Sequence, residues 1–374
     1  MANEELNIGI VGAGSFAAFA IRAFLMLPGI KVIAVTDINE SAARQMAEQY
    51  GLNIYHELEQ MLASEKIDLV YIATPPFLHY SQSKLALLAG KHVICEKPAA
   101  LKTVDAKELA GIAQSKQLLY VVNLLQRYNS LYKTVNTIIR EKILGHFLHG
   151  FFENYASDEN LDQTHWFWDE SKSGGIFIEH GVHFFDMFNG WLGEGKMVNA
   201  LQLERPGMER KMIDRVQSTV QYNNGIVNFY HGFDQPAILD RQEMRLQFEY
   251  GEITLYGWIP LKMELHGLLQ KNQLHTVQDM LGEISIVHHN KPGTQEQKLK
   301  GRFSKLVFTD HVTIEYENAE SKQSIYQQML TAMLADQWAW IINREHPRVI
   351  DHHNAVESLR IAEQATLAAQ NLSS

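Results

Sequence analysis

Leu6-Asn7-Ile8-Gly9-Ile10-Val11-Gly12-Ala13-Gly14-Ser15-Phe16-Ala17 opens the chain's readable pattern, and Lys31-Val32-Ile33-Ala34-Val35-Thr36-Asp37 completes it. Between them an apolar stretch from Phe19 to Leu27 ends at Pro28-Gly29. An apolar run, a glycine-rich turn, a helix and a β-branched strand are the context a dinucleotide-binding fingerprint needs. Gly12 allows the tight turn, Gly14 lets backbone approach a pyrophosphate, and the small Ala17 lets helix pack on strand. Ser15 and Phe16 complete the turn, where a helix N-terminus offers unpaired N–H groups to phosphate oxygens. Asp37 closes the second strand, placed to accept bonds from both ribose hydroxyls. Its charge repels a 2′-phosphate, so the expected cofactor is NAD in preference to NADP.

The alternation continues for the first third of the chain. A helix is expected over Ser41–Tyr50, a strand over Ile67–Ala73, and a helix over Tyr80–Ala89 closed by Gly90. A strand over Lys91–Cys95, a helix over Thr103–Ser115 and a strand over Leu118–Asn123 follow. Such a βα series implies a parallel sheet with right-handed crossovers. Thr74 and Pro75 end a strand beside the first and so line the cofactor cleft. His79, at the start of the next helix, has a structural role competing with a ligand role. The strand ending in Cys95 runs into Glu96-Lys97-Pro98. Alone, Glu-Lys-Pro reads as a surface lysine at a strand end; in such a sheet, a lysine at a strand's carboxyl end points into the ligand crevice. A Lys-Pro bond also turns cis far more readily than an ordinary peptide bond.

Composition narrows the remaining classes. With 374 residues, two domains are the natural expectation: residues 1–125 binding the dinucleotide and residues 126–374 forming a second domain. A net charge of −10 argues against non-specific nucleic-acid binding, which depends on basic surface. No apolar run approaches the roughly 20 residues a membrane span requires. The first residues lack the basic-then-apolar pattern of a signal peptide. The single cysteine, Cys95, forms no internal disulfide and fits a reducing cytoplasm. It sits in an apolar strand, where a small buried hydrophobe is expected ahead of a nucleophile.

After Arg127 the texture becomes alternating. Val216–Tyr222 and Ile226–Tyr230 flank Asn223-Asn224-Gly225 as a hairpin, and Met244–Tyr250 and Ile253–Tyr256 form a second. Phe147–Tyr155 and Lys305–Tyr316 also read as strands. The expected fold class is therefore α/β: an N-terminal Rossmann domain followed by an α/β domain with a large, mostly antiparallel open sheet. Its uncovered face is an expected oligomer surface. Helices over Ser324–Asn343 and Asn354–Asn371 are expected to pack back toward the Rossmann domain. Residues 266–300 are weakly patterned and left unplaced.

One segment of this half carries chemistry: Gly174-Gly175-Ile176-Phe177-Ile178-Glu179-His180-Gly181-Val182-His183-Phe184-Phe185-Asp186. If Ile178 onward is α-helical, Glu179, His183 and Asp186 share one face. A carboxylate one turn from an imidazole can hold it and raise its basicity, as a general base requires. Two alternatives stand beside this one. The histidines pack among Phe177, Phe184 and Phe185, or His180, His183 and Asp186 hold a metal. His180 lies about 100° around such a helix from Glu179, so those ligands converge less well, and no metal is expected. Upstream, His165-Trp166-Phe167-Trp168-Asp169 sets flat aromatic faces beside hydrogen-bonding groups, which suits a sugar or polyol as well as a core.

Taken together these stretches resemble the Gfo/Idh/MocA oxidoreductases, the family of glucose–fructose oxidoreductase and inositol 2-dehydrogenase. The resemblance rests on the Gly12–Ala17 turn, Asp37, Ala73-Thr74-Pro75-Pro76 with His79, and Ala89 through Pro98. Arg127 and the Gly174-Gly175…Gly181-x-His183-x-x-Asp186 segment also fit. It implies hydride transfer to or from a secondary alcohol of a sugar, cyclitol or related polyol, and a homodimer or homotetramer formed through the open sheet. Lys97 then positions the reacting oxygen, and His183 is the acid/base. Glu179 orients and tunes His183, standing where polyol dehydrogenases of the family carry an aspartate. Gly12, Gly14, Ser15, Phe16, Ala17, Asp37, Thr74, Pro75, His79, Glu96 and Lys97 form the implied cofactor site. Lys97, Arg127, Trp166, Trp168, His183 and Asp186 form the implied substrate site. The family also contains redox-neutral glycoside-cleaving members, and a non-catalytic NAD-binding regulator remains a third reading.

Overall fold

The computed structural model describes residues 5–64, 66–158, 161–223, 225–291, 295–303 and 305–372. The start of the chain used in the signal-peptide reading (residues 1–4) and the middle turn residue Asn224 lie outside them. The chain divides into two compact units, each assembled from separate stretches. One comprises Met1–Tyr128, Gln163–Asp186 and Gln323–Glu363; the other comprises Asn129–Asp162, Met187–Lys322 and Gln364–Ser374. Where the sequence suggested one division near residue 125, the first unit thus also takes up the Gly174–Asp186 segment and much of the C-terminal helical region.

The first unit is built on six parallel strands: β1 (Leu6–Val11), β2 (Ile30–Thr36), β3 (Asn53–Tyr55), β4 (Leu69–Ile72), β5 (His92–Cys95) and β6 (Tyr120–Val122). Their order, β3-β2-β1-β4-β5-β6, reverses between β1 and β4. That reversal opens a crevice at the carboxyl ends of the two strands, where such sheets bind ligands. All four residues of β4 and five of the six in β1 are buried, as expected for strands covered on both faces. Local chemistry sets the helices between them. Asn39 accepts from the backbone of Ser41 and Ala42 to start Glu40–Tyr50, and Gly51 stops it in the left-handed conformation at φ 70°. Pro76 opens Pro76–Leu88 at its first turn, where the missing N–H costs nothing. In the interior, Phe24 meets Tyr71 edge-on at 4.9 Å.

The second unit holds β7 (Phe147–Tyr155), β8 (Lys196–Glu204), β9 (Ile213–Tyr222), β10 (Gly225–Gly232), β11 (Arg241–Phe248), β12 (Gly251–Tyr256), β13 (Lys262–Leu269), β14 (Ser285–His288), β15 (Gln297–Lys300), β16 (Lys305–Phe308) and β17 (Asp310–Glu317). Nine of these form one sheet in the order β14-β17-β13-β12-β11-β7-β10-β9-β8, and β15 pairs with β16 separately. Every pairing in the large sheet is antiparallel except β7 with β10. In β13 every second residue is buried (Met263, Leu265, Gly267, Leu269), and the intervening ones keep solvent access. On the apolar side Phe188 packs edge-on against Phe229.

Two expectations change. Lys305–Tyr316 is two strands rather than one: β16 pairs with β15, and β17 joins the large sheet. The unplaced 266–300 region holds the end of β13, the helix Lys271–Leu281, β14 and β15, with 292–294 outside the described residues. No helix among the described residues is long and apolar enough to cross a membrane.

Candidate active site

All the site residues singled out above fall in the first unit. Gly12 adopts φ 97°, and a Cβ there would lie 2.7 Å from the Ala73 carbonyl oxygen, so only glycine fits. A Cβ at Gly14 would meet nothing within 4 Å, leaving an open approach to the backbone. The helix Ser15–Phe24 has no side-chain cap and no acid in its first turn. Its leading N–H groups are therefore available to an anion. The Phe16 ring turns onto Tyr326, centroids 5.8 Å apart, so that residue's backbone N–H is what remains for a phosphate. The Ala13 N–H donates to Asp37 Oδ2 at 2.6 Å and the Asn39 N–H to Oδ1 at 2.7 Å, which fixes the carboxylate beside the glycine turn. Carboxylate oxygens have lone pairs for two bonds each, so both can still accept from ribose hydroxyls. These residues fit a dinucleotide.

His79 is fully buried, its two ring nitrogens each 2.7 Å from a carbonyl oxygen, those of Thr74 and Pro98. Burial lowers its pKa, and the two carbonyl contacts oppose the fall. Through these two contacts it braces the loops after β4 and β5. The Lys97–Pro98 bond is cis. Glu96 is held from the protein side: Tyr71 donates to its Oε1, and Asn123 Nδ2 donates to the same oxygen at 2.7 Å. Burial raises the Glu96 carboxyl above its ordinary value, and these donors oppose the rise. Tyr71 and Asn123 escaped the sequence reading because each sits within an apolar strand or at its end.

The Gly174–Asp186 segment departs from the expected helix. Phe177–Gly181 is a π-helical turn, and the α-helix begins only at Val182. A wider turn changes the angle between Glu179 and His183, so an i, i+4 spacing no longer stacks them as in an α-helix. Glu179 instead meets Lys97: the ammonium donates to the Glu179 carbonyl oxygen at 2.9 Å and to its carboxylate. The pair is well covered, with side chains 20% and 10% exposed. Glu179, expected to hold His183, thus pairs with Lys97. His183 is half-buried. Burial, then the Lys97 charge, then His180 hold its pKa well below the ordinary value.

Arg127 and Asp186, both expected to touch substrate, bind each other. Arg127 Nε donates to Asp186 Oδ2 at 2.9 Å and Nη2 to Oδ1 at 2.8 Å, a bidentate fork. Asp186 is only 1% exposed and receives a further bond from Asn354. Arg127→Met is expected to cost about 3–5 kcal/mol of stability, because it strands a buried carboxylate. Urea unfolding measures this, and a loss below about 1 kcal/mol would show the fork to be dispensable. Trp168 is 6% exposed and packs edge-on against Phe167 at 4.7 Å, so it belongs to the core. Trp166, half-buried beside His165 at 5.1 Å, keeps an accessible face.

Comparison with known proteins bears on the family and the fold. Residues 6–124 match the model described as "Oxidoreductase family, NAD-binding Rossmann fold", and residues 132–253 match the GFO/IDH/MocA C-terminal domain. The chain belongs to the GFO/IDH/MocA oxidoreductase family. Among the family's curated members, D-glucoside 3-dehydrogenase of Escherichia coli is 25% identical over 60% of this chain and 69% of its own length. Levoglucosan dehydrogenase of Pseudarthrobacter phenanthrenivorans is 29% identical over 53% of this chain, which spans 54% of that enzyme. Several relatives are matched over only about half their length, as with an oxidoreductase of Synechocystis at 52%. A solved structure of levoglucosan dehydrogenase with NADH and levoglucosan superposes with a TM-score of 0.75 over 98% of both chains. At 18% identity that likeness speaks to the fold alone.

Proposed function

We propose that this protein is an NAD-dependent oxidoreductase that interconverts a secondary alcohol and a ketone on a sugar, cyclitol or related polyol. The observation carrying the reading is Lys97, just past the end of β5 and held by Glu179, with His183, its pKa held low, in the same unit. Relatives named for oxidising glucosides and levoglucosan support the substrate class. When bound, NAD would accept or return the hydride at the alcohol carbon. An ammonium has three donors; Glu179 takes two of those on Lys97, which leaves one for the substrate oxygen. His183 takes the hydroxyl proton on a ring nitrogen, and the low pKa keeps that nitrogen available at neutral pH. Glu179 acts through Lys97 as a positioning residue. Trp166 offers a flat face to a sugar ring.

A panel of sugars, inositols and amino sugars tests the reading, with reduced-cofactor absorbance as the signal. Turnover with NAD on at least one polyol is expected. Sugar release with no net absorbance change would replace this reading with the redox-neutral one, and NAD binding without any turnover would favour a regulator. Asp37→Ser is expected to lower the NAD-over-NADP preference in kcat/KM by about tenfold or more, since it removes the carboxylate that repels a 2′-phosphate. A wild-type enzyme that strictly prefers NADP would overturn the role of Asp37.

A further inference from the structure

Three histidines far apart in sequence meet on the open side of the large sheet: His266 on β13, His289 just after β14 and His311 on β17. Each presents a ring nitrogen, and these nitrogens all lie within 4.8 Å of one another. The Nε2 atoms of His266 and His311 are 2.9 Å apart. We propose that His266, His289 and His311 form a binding site for a divalent transition metal of the zinc, nickel or copper type.

The backbone holds the three in place. In the β13–β17 ladder His266 stands opposite Thr313 and Leu268 opposite His311, which puts both imidazoles on one face. The His289 N–H donates to the His311 carbonyl at 2.8 Å, and the His311 N–H donates to Asn290 Oδ1 at 3.0 Å. Asn290 Nδ2 in turn donates to the Thr309 carbonyl at 2.8 Å. Thr313 Oγ1 lies 2.8 Å from His289 Nε2, within reach to orient that ring.

Three imidazoles suit these borderline cations, and a three-histidine set leaves a fourth position for water or an incoming ligand. Small rotations would bring the nitrogens to the roughly 2.0–2.1 Å metal distance that imidazole ligands adopt. Carboxylates on the same face favour a cation. Glu252 stands opposite His266 on β12, and Glu264 faces Glu315 one pleat along. The spacing matches no metal motif, so the sequence reading, which expected no metal, had nothing to find; register alone assembles the set. The three histidines belong to the second unit, and the residues of the proposed hydride-transfer chemistry belong to the first.

The test is calorimetric titration of the full chain with zinc chloride, together with cobalt(II) absorption as a report of tetrahedral ligation. One equivalent is expected to bind. His311→Gln and the double variant His266→Gln/His289→Gln should each weaken binding about tenfold or more, whereas His288→Gln leaves it unchanged. His266 and His289 are exposed, so their double variant keeps the fold and decides the matter even if His311→Gln does not. No binding to the wild type, or binding that survives the double variant, overturns the proposal.

Discussion

Lys97→Met is expected to lower kcat/KM with NAD and an oxidisable polyol by about 10³-fold, at the upper end of what one preorganised donor to a developing oxyanion supplies. The ammonium is held, not loose: the Glu179 carbonyl oxygen at 2.9 Å and the Glu179 carboxylate take two of its donors. Methionine keeps the length and removes all three. It also leaves the Glu179 carboxylate, 10% exposed, without its counter-charge. Stability should therefore fall as well, by about 2–4 kcal/mol. The two effects separate in Lys97→Met/Glu179→Gln. That variant removes the stranded charge, so stability returns, while activity stays low because the donor is still missing. NAD affinity, measured by calorimetry, should move by less than about threefold, because the glycine turn and Asp37 are untouched. Wild-type turnover in Lys97→Met would end the assignment.

The Rossmann half was legible because its signals are local. Gly12, Gly14 and Ala17 act through backbone geometry that any neighbour in the sheet would impose, and Asp37 sits at a strand end where the chain has one place to go. Asn39 and Gly51 punctuate their helix as capping chemistry demands. The second sheet was legible where alternation was strong, in Phe147–Tyr155 and both hairpins. It was opaque in β8, whose residues are mostly exposed and carry little period-two contrast. Thr309 broke one expected strand into two because β16 and β17 pair with different partners, a fact held in register and not in composition.

The pairings among the candidate residues were less legible than the stretches that carry them. Lys97, Glu179, His183, Arg127 and Asp186 do fall in one unit, yet Glu179 binds Lys97 and Arg127 binds Asp186. The reason is the π turn. Four of its five residues, Phe177, Ile178, Glu179 and Gly181, are buried, where an amphipathic α-helix would bury a stripe. Glycine at 181 and the paired glycines at 174 and 175, both at positive φ, loosened the local prediction. A run of buried positions between glycines was the available sign that α-helical spacing would not hold. Pairing across 82 residues, as between Lys97 and Glu179, leaves no periodic trace.

His183→Asn should cost about 10²–10⁴-fold in kcat, the span of a positioned acid/base, and its pH behaviour makes the stronger test. Burial, the Lys97 charge and His180 all push the His183 pKa well below 6.5. The ring is then neutral at pH 7, and the acid limb of kcat/KM lies below pH 6.5. Removing the Lys97 charge relieves one of those pressures, so the limb should move to higher pH in the residual activity of Lys97→Met; a limb that stays put would separate it from His183. The same shifts bear on stability. His79 and His183 are lowered, and His180 falls to about 3. Between that value and the unfolded 6.5, the unfolded chain binds protons that the folded chain refuses, so stability rises with pH and is lost on acidification. From pH 7 to pH 5 each such histidine removes at most about 2 kcal/mol; His180 and His183, being half-buried, should remove less. Glu96 and Asp186, whose carboxyls burial raises, act with the opposite sign. They protonate in the folded state first and offset part of the loss near their own titration. Urea midpoints at pH 7 and pH 5 in wild type and His183→Asn isolate the histidine term, since the carboxyl contribution is common to both. A flatter dependence in the variant is expected; identical slopes would mean that His183 titrates as freely folded as unfolded, and a base poised by its surroundings would not.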